Sequence, residues 1–143
     1  MRSVAVLFAA ICAFSVFGDE PRVSKSDIDT ITGTWQTVGW RIAGRVVNSN
    51  PHRQTFDGDQ VTFIETRGDR IEKRTATFKL DSAKSPKEID IVIDLGSNKG
   101  QITSKGIYSL DDDVLLICIG QTGNRPKRFE ARKGDNQELT VLI

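Results

Sequence analysis

Few side chains in this sequence have the chemistry to catalyse a reaction or to hold a metal. His52 is the only histidine, and it lies beside Pro51 in the polar stretch Asn48 to Gln54. A hydrolytic triad needs such an imidazole between a nucleophilic serine and an orienting acid, and no Gly-x-Ser-x-Gly elbow occurs. Cys12 lies in the apolar leader, and one histidine with the remaining Cys118 cannot build a zinc site without several carboxylates. Asp111-Asp112-Asp113 and Asp57-Gly58-Asp59 offer oxygen ligands of the kind calcium takes. They lack the alternation and distal glutamate of a calcium loop, and aspartate in such runs bonds its own backbone at tight turns. Basic residues gather at Arg125, Lys127, Arg128, Arg132 and Lys133, and again at Arg67, Arg70, Lys73 and Arg74. A nucleic-acid groove interleaves stacking aromatics with its charges, and only Phe129 is so placed, while Glu72 and Glu130 dilute the field. These residues predict no catalytic group, no metal, no cofactor and no nucleic acid.

The elements that position these side chains begin behind an apolar leader. Arg2 precedes an almost unbroken apolar run from Val4 to Phe17, which ends at the small residue Gly18. Residues 1–18 therefore read as an export signal, and the run falls short of the ~20 residues a membrane-spanning helix needs. Cleavage there would leave 125 of the 143 residues, enough for one domain with one core. It removes Arg2 and no acid, so 19 basic residues face 19 acidic ones. A chain balanced in this way has no overall electrostatic attraction to nucleic acid or to an anionic membrane. Cys118 would remain alone, which rules out an internal disulfide and suits an inert thiol in an apolar strand. Export to the periplasm or the extracellular space follows, with no integral membrane segment after the signal.

Residues 19–25 form a polar lead-in with Pro21, and 26–143 form the domain. Ser26 to Ile31 fits one helical turn with an acidic start. Gly33-Thr34-Trp35 then opens a series of strands. They are expected at Thr34 to Val47, with bends at Gly39 and Gly44, and at Gln60 to Thr66, Arg70 to Leu80 and Glu88 to Leu95. The rest are expected at Gln101 to Leu110, Val114 to Ile119, Lys127 to Arg132 and Gln137 to Ile143. Ile89, Ile91, Ile93 and Leu95 alternate with Asp90 and Asp94, the pattern of a strand with one buried face. Short connections give an all-β antiparallel up-and-down meander, and eight such strands can close and remove their edges.

Several segments together resemble an uncharacterised lipocalin-like domain family of small exported bacterial proteins. They are Gly33-Thr34-Trp35, Phe56-Asp57-Gly58-Asp59, Ala76-Thr77-Phe78-Lys79-Leu80-Asp81 and Pro86-Lys87-Glu88-Ile89-Asp90. With them go Lys105 to Asp111, Leu116-Ile117-Cys118, Arg125-Pro126 and Phe129. The resemblance runs from about Ile28 to Ile143 and implies an eight-stranded lipocalin-like barrel and export, with no catalytic residues carried across. Asp112 stands where the family often has Gly in a hairpin turn, a left-handed position that Asp tolerates.

A barrel of this size holds either packed side chains or one small ligand. Trp35, Phe63, Phe78, Ile91, Tyr108 and Leu116 are the expected ligand-binding residues of the interior, joined there by Ile89, Ile93, Leu139 and Val141. Tyr108 is the expected polar anchor for an apolar or amphipathic molecule. Gly33, Trp35 and Arg128 are the expected structural motif, with Arg125, Arg128 or Arg132 stacked across the indole. The alternative is a filled barrel that contacts an envelope protein through an apolar patch near Trp40, Ile42 or the loop Asn48 to Gln54.

Overall fold

The computed structural model describes residues 26–47 and 52–143. The export signal (1–18), the lead-in (19–25) and most of the loop before His52 lie outside the described residues. Ser26 caps the helical turn α1 (Asp27–Ile31), its Oγ accepting from the backbone N–H of Asp29. Asp27 and Asp29 sit at the positive end of that turn, and Ile31 at its far end is fully buried. Gly33 follows with φ +139°, a conformation side-chain-bearing residues rarely adopt, and swings the chain from the turn into the sheet.

The strands are β1 (Gly33–Ile42), β2 (Arg45–Val46), β3 (His52–Asp57), β4 (Gln60–Arg67), β5 (Arg70–Asp81), β6 (Lys87–Asp94), β7 (Gln101–Asp111), β8 (Val114–Gly120) and β9 (Gln137–Leu142). Every pairing is antiparallel and, apart from β2, each strand pairs with the next in the chain. β1 also pairs with β9, from Thr37 opposite Leu142 to Ile42 opposite Glu138, with a bulge between Thr37 and Gly39. Eight strands thus close into an antiparallel, lipocalin-like barrel, and two-residue β2 folds back on the end of β1 outside the ring. The expected bends fall at this bulge and at Ala43-Gly44, where the chain turns into β2.

The up-and-down order gives the barrel two unlike ends. α1 and the turns after β3, β5 and β7 lie at one, and the connections after β1, β4, β6 and β8 at the other. The α1 end is packed solid. Phe56 and Phe78 meet edge to face at 5.1 Å, and Ile31, Trp35, Val61, Ile89, Tyr108, Leu115 and Leu142 fill the space around them. Each fully buried aliphatic or aromatic side chain contributes roughly 1.5–3 kcal/mol, so this half carries most of the stability.

The count of eight barrel strands agrees with the sequence reading, but the membership differs. His52–Asp57 is a strand, although His52 to Gln54 were expected in a polar loop, and Lys127–Arg132 is irregular where a strand was expected. The inward face of β3 is His52, Gln54 and Phe56, so two of its three buried positions are polar and apolar alternation cannot reveal it. The segment around Lys127 instead lies over the outside of the barrel. Arg125 anchors it, its guanidinium donating to the carbonyls of Ile89 and Gly106 and pairing with Asp90 at 2.7 Å and Glu88 at 3.3 Å. Beneath it Ile107, Cys118 and Ala131 form a small buried layer outside the main core.

Candidate functional site

At the end remote from α1 the barrel is not filled. A cavity of about 240 Å³ lies there, with apolar walls that include Phe63, Ala76, Ile91, Ile93, Ile117 and Ile119. Strand pairing places these walls: Ile91 faces Ser104 and Ile93 faces Ile102 on β6 and β7, while Phe63 stands opposite Gln54 across β3 and β4. The pleat turns alternate residues inward, so β3 delivers His52 and Gln54, and β9 delivers Glu138 and Thr140.

The four buried polar residues among the described residues, His52, Gln54, Glu65 and Thr140, all lie in this half of the barrel. Trp40 stacks on the His52 imidazole with 5.4 Å between centroids and 1° between planes. Its indole N–H donates to Glu138 Oε1 at 2.8 Å. Glu65, opposite His52 on β4, accepts two bonds from Arg67, which hold its carboxyl below the usual range despite burial. Arg74 lines the rim with its side chain exposed. Two atoms are left over. Among the described residues, buried His52 Nε2 and Gln54 Oε1 have no hydrogen-bond partner.

Electrostatics keep this pocket close to neutral. Burial lowers the affinity of His52 for a proton; Glu65 opposes that shift, and Arg74 and Arg67 add to it. The imidazole is therefore uncharged at neutral pH and offers one donor and one acceptor. Burial pushes the Glu138 carboxyl up, against the bonds from Trp40 and Gln121. A neutral polar group that can donate to Gln54 Oε1 fits this surrounding.

The expected ligand-binding residues divide between the two ends. Phe63 and Ile91 line the cavity, whereas Trp35, Phe78 and Tyr108 belong to the packed end. Tyr108 is not an anchor at the mouth: its hydroxyl donates to Asp27 Oδ2 at 2.6 Å, beside the Lys87–Asp27 ion pair at 2.7 Å. The pair ties α1 to the barrel, and burial, with Asp27 beside it, pushes the phenol far up. Leu116 does not face the interior. Its neighbours Leu115 and Ile117 do, because the whole of β8 is one residue out of the expected parity. Leu139 and Val141 are shifted in the same way, with Thr140 and Leu142 inward. Arg128 does not cover Trp35. It is exposed on the connection at the opposite end, and the Trp35 indole donates instead to the carbonyl of Ile31 at 2.7 Å. Trp40 is turned into the cavity rather than forming an outward patch.

Sequence reasoning passed over Glu138 and Thr140, and it read His52 and Gln54 as a polar loop and Arg74 as part of a basic group. Their signal was present only as polar residues at alternate positions of strands, where alternation is ordinarily read as solvent exposure. Comparison with protein-family models, with curated proteins and with solved structures finds no match to the chain.

Proposed function

We propose that the chain is an exported binding barrel that takes one small amphipathic molecule into the cavity of its open half. The observation that carries this reading is the pair His52 Nε2 and Gln54 Oε1, buried and without a partner among the described residues, beside the apolar wall of Phe63 and the isoleucines. Leaving a buried polar atom unpaired costs about 1–3 kcal/mol. A ligand that hydrogen-bonds to both atoms offsets that cost, and its apolar body lies between Phe63 and the isoleucines of β6 and β8. Size narrows the class. A water's share of liquid volume is about 30 Å³, so the cavity has room for roughly eight non-hydrogen atoms, with more only if the ligand projects past the rim. A short aliphatic or single-ring body with one polar end fits.

The apolar leader at residues 1–18 supports action outside the cytoplasm. Native mass spectrometry of the full chain, purified gently from a host that exports it, tests the reading. The expected result is a reproducible added mass that is lost on denaturation. A bare protein mass, unchanged after incubation with small amphiphiles, overturns it.

A further inference from the structure

We infer that the open end of the barrel docks on an anionic lipid surface. The chain as a whole is almost neutral, but the fold sorts its charges along the barrel axis. At the closed end, α1 and the turns after β3, β5 and β7, with their flanking strand residues, carry eight aspartates and only two lysines. At the open end, the connections after β1, β4, β6 and β8 are counted in the same way over described residues, leaving out Arg125, which reaches back along the outer wall to Asp90 and Glu88; they carry eight basic side chains and four acidic ones. One pole therefore stands near −6 and the other near +4. Of the open-end cations, Arg45, Arg70 and Lys99 sit on three separate hairpins, are exposed, and enter no ion pair among the described residues.

Apolar side chains stand among these cations. Ile71 is 71% exposed, Val46 63% and Ile102 51%, with Leu95 beside them at the β6–β7 hairpin. All four belong to the open end, one or two to each of three hairpins. Exposed aliphatic tips set among unpaired cations suit a surface with a negative headgroup layer over hydrocarbon. The acidic pole is repelled by the same surface, so a nearly neutral protein acquires a preferred orientation, mouth down. Docking of this kind stands whether or not the cavity is filled. It would bring the mouth to the surface where amphipathic molecules concentrate.

The test uses the ligand-free full chain and sucrose-loaded vesicles of phosphatidylcholine alone or with phosphatidylglycerol. Cosedimentation is expected with the anionic vesicles only, and it should weaken as salt rises. The variant Arg45→Gln/Arg70→Gln/Lys99→Gln loses three cations, each worth about fivefold in partitioning, so its partition coefficient should fall about a hundredfold. Asp59→Asn/Asp113→Asn at the other pole should bind at least as well as the parent. Thermal melts of both variants establish that they are folded, since every substituted side chain is exposed. Failure to sediment with anionic vesicles, equal sedimentation with neutral ones, or full retention by the triple variant overturns the inference.

Discussion

Replacing Gln54 by Met separates the stability of the barrel from the use of its cavity. Gln54 is 5% exposed, and its Oε1 has no partner among the described residues. Met has nearly the same length, brings no hydrogen-bonding group, and adds apolar contact with Phe63 opposite. Removing an unpaired buried acceptor recovers up to about 1–3 kcal/mol. Solvent that reaches the oxygen through the mouth reduces that gain, so Gln54→Met should stabilise the ligand-free protein by about 1 kcal/mol. For a domain of this size that raises Tm by about 4 °C. The assay is thermal and urea unfolding of protein stripped of any bound molecule. Ligand retention should move the opposite way, because the variant can no longer accept the ligand's donor. A variant that loses 1 kcal/mol or more would show that the Gln54 amide already has a structural partner, and the argument from unpaired atoms would fail.

Three further outcomes follow from the same geometry. Partial burial raises the Asp27 carboxyl, but bonds from Lys87 and Tyr108 outweigh it and hold the group below the usual carboxylate range. Its stabilising contribution is therefore complete above about pH 4 and is lost as pH falls through the folded value, so the stability gap between parent and Asp27→Asn should close below about pH 4 in urea titrations. Gly106→Ala should destabilise by about 1–3 kcal/mol in urea titrations, because the added Cβ would meet the Cys118 carbonyl at 2.7 Å and collide with Ile119 Cδ1. Cys118 is fully buried, and burial raises its thiol, so a disulfide reagent should label it only at the rate of unfolding.

Where one face of a strand is apolar, the sequence reveals the fold directly. Ile89, Ile91 and Ile93 announce β6, and Asp112 takes the left-handed turn its position requires, at φ +44°. Parity becomes ambiguous in Val114 to Ile119, since Leu116 and Cys118 are apolar like their inward neighbours. The reason is that Cys118 and Ile107 are covered from outside by the strap around Arg125 and Ala131, so this strand is buried on both faces. The site was the least legible part because its defining residues are polar and inward. His52 and Gln54 read as loop, and only closure of the barrel shows that their side chains leave water. The charge poles were hidden for a related reason. Composition reports their sum, which is near zero, and the sum carries no trace of the axis along which the meander separates them.

Thermal shift measured on the parent and on Ser104→Leu tests the cavity most directly. Ser104 lines the void, and a leucine there fills part of it without displacing a packed neighbour. Phenol, hexanoate and benzylamine sample neutral, anionic and cationic heads on bodies of suitable size. Binding at a hundred times Kd is worth about 2.7 kcal/mol, or about 10 °C in Tm. At least one probe should produce a shift of this order in the parent and none in Ser104→Leu. No shift in the parent from any probe, or an equal shift in the filled variant, would contradict binding in the open half of the barrel.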